Sequence, residues 1–170
     1  MKKLLKVLLV VVLCITSAQP MNSFAVSGEK IQWFNVEFSD ARVQEILGLN
    51  SPNDVSERAT GLINSYNIAI AKNSTNSTYI DMVAKMVCDM DVVKCGFKKI
   101  VLQKRPSTSS SWTNALTLDD LYRDSFSHTV GKTFAVPSGY QYRVVCTFYA
   151  KKSLLVTQKI EHTSNYVSFW

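Results

Sequence analysis

The sequence contains two histidines, His128 and His162, and histidine is the side chain best suited to proton transfer near neutral pH. A nucleophile would need one of them within hydrogen-bond reach, and no motif places a serine or cysteine in that relation. Both histidines lie in polar stretches at the ends of predicted strands, where exposed polar residues are common. The pattern therefore favours a protein that is not an enzyme. The alternative is a small extracellular hydrolase or toxin-like effector whose site combines both histidines with an acidic residue.

Acidic side chains form two clusters that could hold a hard cation such as calcium: Asp89 with Asp91, and Asp119 with Asp120 and Asp124. Neither cluster has the glycine-punctuated loop of a known calcium motif. Helix capping and the solvation of turns account for both clusters. We therefore expect no metal ion and no cofactor.

Of the four cysteines, Cys14 lies in a targeting segment, which leaves Cys88, Cys95 and Cys146. Their spacing matches no zinc pattern, and outside the cytoplasm two of them would be oxidised to a disulfide. We predict a Cys88–Cys146 disulfide because strand alternation places both side chains on inward faces. It would close a loop of about 58 residues and stabilise the fold by roughly 4 kcal/mol, against about 2.5 kcal/mol for the alternative Cys88–Cys95 pairing. Cys95 would then be a free thiol, either buried or joined to a second molecule.

Residues 1–25 are predicted to be a secretory signal peptide, because three lysines precede the apolar run 7–15 and small residues follow, with cleavage after Ala25. The run is short for a hydrocarbon layer of roughly 30 Å, so we expect membrane contact only during export. We expect the protein to be secreted, either free outside the cell or associated with its surface.

The net charge gives little support to a nucleic-acid partner. The precursor carries +6, but removal of the three leader lysines leaves sixteen basic and thirteen acidic residues, a charge of about +3. A nucleic-acid-binding domain would be more basic, so we expect no such partner.

Residues 26–57 differ in texture from the rest and are predicted to form a leader or surface arm that is only partly ordered. It would contain one strand at 31–38 and a short helix capped by Ser39 or Asp40 and ended near Gly48. Beyond it, short alternating segments separated by turn residues predict an antiparallel sheet protein. The candidate strands are 65–71, 78–90, 96–104, 132–136, 140–150 and 154–170, with a short helical turn near 117–123.

Alternation in two of these strands indicates which side faces the core. In 140–150 the side chains of Tyr142, Val144, Cys146 and Phe148 share one face, while the other face is mostly polar. In 80–88 the even-numbered residues, including Cys88, form the inward set. The spacing of the strands predicts an all-β, antiparallel β-sandwich of the immunoglobulin or fibronectin type in residues 58–170, with a small barrel as the alternative.

Aromatic and basic side chains are the candidates for ligand contact. Trp112 and Tyr142 are expected in the core, whereas Tyr149, Tyr166, Phe169 and Trp170 could line a carbohydrate or peptide site if they are exposed together. Several basic residues could form a rim at one end of adjacent strands and attract an anionic wall polymer or an acidic membrane surface. They are more typical of a solvated strand face that resists edge pairing. These residues are Lys98, Lys99, Lys104, Arg105, Arg143, Lys151 and Lys152.

A series of aromatic, glycine and basic positions resembles a family of small secreted proteins of Gram-positive, often gut-dwelling, bacteria that is known only as a domain of unknown function. The positions are 58–63, Tyr66, 94–100 with Gln103, Trp112, 139–144, 149–151 and 163–164. The resemblance covers about residues 57–170. It implies a signal peptide and a β-sandwich, and it transfers no catalytic residues.

Together these expectations describe a secreted or cell-surface binding module, without catalytic activity, whose partner is an extracellular protein or a glycan. A self-associating structural protein, joined through Cys95 or by an edge strand, is a further alternative.

Overall fold

The computed structural model describes residues 30–48, 57–106 and 111–170. The predicted signal peptide and its cleavage site lie outside these residues, as does the part of the predicted arm at 49–56. Within the described part of the chain, no helix has the length and apolar character needed to cross a membrane. Residues 31–170 form a single compact unit. A chain that starts at Val26 would therefore contain every described element.

The described chain contains one helix and nine strands. The helix, α1, spans Asp40–Leu47. The strands are β1 (Gln32–Asn35), β2 (Glu57–Arg58), β3 (Ile63–Lys72), β4 (Tyr79–Cys88), β5 (Lys94–Pro106), β6 (Thr113–Arg123), β7 (Ser127–Ala135), β8 (Tyr140–Lys151) and β9 (Thr157–Phe169).

The strands pair into two antiparallel sheets, which confirms the predicted all-β sandwich. Sheet A has the order β1-β7-β4-β3-β2, and sheet B has the order β6-β5-β8-β9. Chain crossings from β4 to β5, from β6 to β7 and from β7 to β8 carry the chain from one sheet to the other. This alternation of hairpins and crossings is the Greek-key arrangement of immunoglobulin-like sandwiches.

The core lies between the sheets, where the predicted sidedness of two strands is confirmed. Met82, Ala84 and Met86 of β4 are buried, as are Val144, Cys146 and Phe148 of β8. Because successive side chains of a strand point to opposite faces, one buried face is enough to fix the register of each strand.

The helix α1 covers the outer face of sheet A and forms where the caps predicted it. The Ser39 hydroxyl accepts a hydrogen bond from the Arg42 N–H, and Gly48 takes the left-handed conformation at the other end. Ile46 and Leu47 pack on Val83, which buries an outward-facing residue of β4. The part of sheet A around Val83 is therefore covered on both faces.

The predicted boundary at residue 58 is wrong, because part of the supposed arm belongs to the sandwich. β1 pairs with β7, with Trp33 opposite Phe134, and α1 packs on β3 and β4. The segment after β1 passes so close to β7 that a Cβ at Gly131 would lie 2.4 Å from the Val36 carbonyl oxygen. The domain therefore begins at Ile31.

The helical turn predicted near 117–123 is also wrong, because these residues lie in β6. Leu118 and Leu121 face the core opposite Ile100 and Phe97 of β5. The inward positions are three residues apart in both strands, where a regular strand would have them two apart. The chain accommodates the extra residue in β6 with a positive φ of 56° at Asp120. The prediction depended on the Thr117 hydroxyl as a cap and on the acidic residues that follow it, but pairing with β5 overrides these local signals.

Candidate functional site

The outer face of sheet B is the free face of the sandwich. In the described part of the chain the helix lies on sheet A, and no described element packs on the outside of β5 and β8. Side chains of this face are therefore available to a ligand.

Two rows of hydrogen bonds cross this face near the ends of β5 and β8. In the first row the Arg105 Nε donates to the Gln141 Oε1 at 2.7 Å, and the Gln141 Nε2 donates to the Ser168 Oγ at 3.3 Å. In the second row the Arg143 Nε donates to the Gln103 Oε1 at 2.9 Å. The register places Arg105 opposite Gln141 and Gln103 opposite Arg143. The two arginines are therefore diagonal neighbours on adjacent strands.

A single indole lies against both guanidinium groups. The central carbons of Arg105 and Arg143 lie 4.5 Å and 4.4 Å from the Trp112 ring centre. Tyr166 adds a second ring, 5.7 Å from the Arg105 carbon. Cation–π contacts of this kind contribute about 0.5–2 kcal/mol each. We call Gln103, Arg105, Trp112, Gln141, Arg143 and Tyr166 the arginine–tryptophan face.

The two positive charges of this face lack an acidic counterpart. Among the residues that the structure describes, no carboxylate forms an ion pair with Arg105 or Arg143. Burial lowers the pKa of Arg143, and the charge of Arg105 lowers it further. An oxyanion placed between the two guanidinium groups would offset this repulsion.

The predicted ligand-contact aromatics fall into different places. Tyr166 belongs to the arginine–tryptophan face, and Trp170 follows it as an exposed ring at the chain end. Tyr149 lies at the other end of the same sheet face, 5.2 Å from the Tyr122 ring. Phe169 is wrongly predicted as a contact residue, because only 5% of it is exposed and its ring packs edge-on against Tyr142.

Trp112 is the residue that sequence reasoning misplaced most. It was expected in the core, yet its indole lies on the outer face against two arginines. Arg105 and Arg143 were expected only as part of a solvated basic rim. Alternation in β8 places Arg143 on the outer face, and this could be predicted from the sequence. Its contact with Trp112 could not, because it depends on how the strands pair.

The two histidines do not form a common site. His128 packs on Phe97 and His162 packs on Tyr66, with ring centres 5.3 Å and 5.6 Å apart. Phe148 lies between the two pairs and contacts both Phe97 and Tyr66. Three aromatic rings therefore separate the histidines, and the site expected for a hydrolase is not assembled.

A cleft of about 580 Å³ opens beside His128, between β6, β7 and the segment after β1. Burial and a hydrogen bond to Asp120 raise the pKa of Tyr122 to about 12. Burial lowers the pKa of Lys132, which donates a hydrogen bond to Asn35. Among the residues that the structure describes, the Nδ1 of His128 has no hydrogen-bond partner. An acid–base pair through this atom is therefore not formed.

One aspartate of each acidic cluster forms an ion pair. Asp91 pairs with Lys152, and Asp124 pairs with Lys94 at 3.7 Å. In the described ranges, no group of three or more histidine, cysteine, aspartate or glutamate side chains is arranged to hold a metal ion.

The predicted Cys88–Cys146 disulfide does not form in the structure, where all three described cysteines are free and buried. Cys88 is instead hydrogen-bonded to Cys95. Cys95 lies opposite Ala150 of β8. Cys146 is four residues further along that strand, roughly 13 Å away. Because Cys95 is completely buried, its thiol is out of reach of a second molecule in this fold.

No protein-family model matches the chain, and no curated protein matches it either. The resemblance of residues 57–170 to a family of small secreted bacterial proteins therefore stays an expectation.

Proposed function

We propose that the protein is a secreted or cell-surface binding module without catalytic activity, and that its ligand lies on the arginine–tryptophan face. The observation that carries the proposal is a pair of guanidinium groups held against one indole with no carboxylate partner among the described residues. An extracellular glycan or protein that carries carboxylate, phosphate or sulfate groups fits this chemistry.

The arginines are fixed in advance of binding. Each Nε is hydrogen-bonded to a glutamine of the neighbouring strand, which orients the guanidinium plane. The terminal nitrogens of a guanidinium can grip an oxyanion through two parallel hydrogen bonds, which an ammonium group cannot do. Since the side chains are already ordered, binding costs less conformational entropy than it would for free arginines.

The neighbouring groups suit a sugar or peptide chain laid across the sheet. Tyr166 is 55% exposed, so its ring is open to stacking by an apolar ligand surface. Gln103 also donates to Asn114, which extends the polar row towards β6. The separation of His128 from His162 supports a function without catalysis.

The test is equilibrium binding to arrays of charged glycans, neutral glycans and extracellular proteins. We expect oxyanion-bearing ligands to bind, and we expect the double variant Arg105→Gln, Arg143→Gln to lose at least about tenfold in affinity, because two charge-assisted contacts are removed. Polygalacturonate and its methyl ester form a matched probe pair, because they share one backbone and differ in whether each carboxyl group is charged or methylated.

The control variant is Lys98→Gln, Lys99→Gln, which removes the same charge from β5 at a distance from Trp112. It should change affinity by no more than about threefold. Equal losses in the two double variants, or equal binding of the polymer and its ester, would contradict the assignment of the ligand to this face.

A further inference from the structure

The turns at the two ends of the sandwich differ in polarity. At one end, the turns 89–93, 124–126 and 152–156 expose Met90, Val93, Phe126, Leu154, Leu155 and Val156. The exposed fraction is 86% for Met90, 88% for Leu154 and 95% for Leu155. At the opposite end, the described turns 73–78 and 136–139 present asparagine, serine, threonine, proline and glycine. We call the first set of turns the apolar end.

The three turns are held together. The Val93 N–H donates to the Lys151 carbonyl at 2.9 Å, which joins the first turn to the third. The Cys88 N–H donates to the Phe126 carbonyl at 2.7 Å, which joins the first turn to the second. The ion pairs of Asp91 with Lys152 and of Asp124 with Lys94 link the same turns. The exposed apolar side chains therefore project from one fixed platform.

We propose that the apolar end docks on the surface of a lipid bilayer that contains anionic lipid, with Leu154 and Leu155 inserted among the acyl chains. Large, almost fully exposed aliphatic side chains on adjacent turns are unusual in water and mark an interaction surface. This inference does not rest on the ligand proposed for the arginine–tryptophan face.

A bilayer suits this surface better than a protein partner does. The six side chains protrude from separate turn tips, whereas a stable protein interface uses roughly 20–30 residues on each side with matching shape. A bilayer needs no complementary shape, because the acyl chains move to surround whatever apolar group enters.

The charges beside the leucines also fit lipid headgroups. Lys151 and Lys152 directly precede the turn that carries both leucines. Asp91 and Asp124 are already paired with lysines, and in the described part of the chain the unpaired charges of these turns are Lys151 and Arg123 against Asp89, so positive charge is in excess. Lys151 and Arg123 are the cations that face lipid headgroups. Their long side chains can reach phosphate groups while the leucines lie deeper.

Two backbone N–H groups of the leucine turn, 152–156, are hydrogen-bonded within the turn and need no water when it enters the bilayer. The Lys152 N–H donates to the Val156 carbonyl at 3.0 Å, and the Ser153 N–H donates to the same oxygen at 3.4 Å. Polar groups that are hydrogen-bonded within the turn lose less on leaving water than free groups do.

The test is cosedimentation of the chain starting at Val26 with vesicles of phosphatidylcholine alone, or of phosphatidylcholine mixed with phosphatidylglycerol. This chain lacks the apolar run 7–15, which would itself bind vesicles. We expect binding to the mixed vesicles, and we expect Leu154→Ser, Leu155→Ser to weaken it at least about tenfold, because two apolar side chains no longer enter the bilayer. Lys151→Gln should weaken binding to the mixed vesicles about fivefold.

The matched control is Leu154→Met, Leu155→Met, which keeps two large apolar side chains and should bind within about threefold of the wild type. Because both leucines are exposed, their substitution should leave the thermal unfolding midpoint unchanged. Measuring this midpoint checks that each variant is folded. Failure of the wild-type chain to bind either vesicle, or equal binding of the serine variant, would overturn the proposal. A wild-type dimer in solution that the serine variant abolishes, without vesicle binding, would overturn it in favour of a second copy of the chain.

Discussion

His128 is a partly buried imidazole whose surroundings oppose its charged form. It packs on Phe97, its Nδ1 has no hydrogen-bond partner, and burial lowers its pKa, with a further contribution from the charge of Arg123. The unfolded chain would bind a proton at His128 at a higher pH than the folded chain does. Stability linked to this residue is therefore complete above the ordinary histidine pKa and is lost as the pH falls towards the lowered value.

We predict that the free energy of unfolding falls between neutral and mildly acidic pH, and that His128→Gln makes this fall shallower. Denaturant unfolding at a series of pH values measures both slopes. Met86→Leu, which changes the residue opposite His128 without changing a titrating group, is the control and should keep the wild-type slope. An unchanged slope in His128→Gln would show that other groups cause the acid sensitivity.

Cys88 and Cys95 form the only thiol pair in the described chain. The hydrogen bond from the Cys88 thiol lowers the pKa of Cys95, while the same bond and burial raise the pKa of Cys88. Both thiols are buried in the fold, so a disulfide oxidant can reach them only while the chain is folding.

We predict that, when the reduced chain refolds with oxidised glutathione as the two-electron oxidant, Cys88 and Cys95 are joined in a disulfide and Cys146 stays reduced, because the fold brings the first two thiols together. Non-reducing peptide mapping should show a linked Cys88–Cys95 fragment, and this short closure would stabilise the fold by about 2.5 kcal/mol. The linkage should persist in Cys146→Ala and disappear in Cys95→Ala. A Cys88–Cys146 fragment would contradict the arrangement of the strands described above.

At the scale of the elements, two side chains of β9, in sheet B, form hydrogen bonds with backbone groups in and beside β3, in sheet A. The Ile70 N–H donates to the Asn165 Oδ1 at 3.1 Å, and the Asn165 Nδ2 donates to the Ile70 carbonyl at 2.9 Å. Gln158 binds the turn before β3 in the same way: its Oε1 accepts from the Ile63 N–H, and its Nε2 donates to the Thr60 carbonyl. Among the described residues, β2 pairs with β3 at Ser65 and Tyr66, and these amides satisfy backbone groups on either side of that pairing.

We predict that Asn165→Ala lowers the free energy of unfolding by about 1–3 kcal/mol, because two partly buried backbone groups of Ile70 lose their partner. Asn165→Asp keeps the acceptor and loses the donor, so it should lower the free energy of unfolding by less than Asn165→Ala does. Thr163→Ser, an exposed substitution on the same strand, should stay within about 0.5 kcal/mol of the wild type. Chemical denaturation measures these free energies. If Asn165→Ala lowered the free energy of unfolding as little as the control does, the two hydrogen bonds with Ile70 would not contribute to stability as proposed.

At the scale of the whole molecule, the two proposed surfaces lie towards opposite ends of the sandwich. β8 connects them, with Gln141 in the arginine–tryptophan face and Lys151 beside the apolar end. The two residues are roughly 33 Å apart along the strand. If the apolar end rests on a bilayer, the ligand face is held well away from the headgroups. Substitutions in the two surfaces share no contacts, so their effects should be independent.

The sequence by itself determined the local features of the protein. Alternation in β4 and β8 predicted which side chains face the core, because residue sidedness in a strand repeats every two positions. It did not predict that Asp81 and Val83, on the other face of β4, are buried as well. The cap residues Ser39 and Gly48 predicted α1, because capping depends only on neighbours in the chain. Tyr166 and Trp170 were expected to be exposed because they lie in the last strand segment, and they are exposed, whereas Phe169 of the same segment is buried.

Only the tertiary structure decided what meets across the strands. Sidedness put Cys88 and Cys146 on inward faces, but the pairing of β5 with β8 placed Cys95 at the level of Cys88. Pairing with β5 made residues 117–123 a strand and not a helical turn, and packing on the outside of sheet B brought Trp112 to the two arginines. The physical reason is that alternation fixes the face of each residue, whereas its height along the sheet depends on register and bulges, which involve residues distant in sequence.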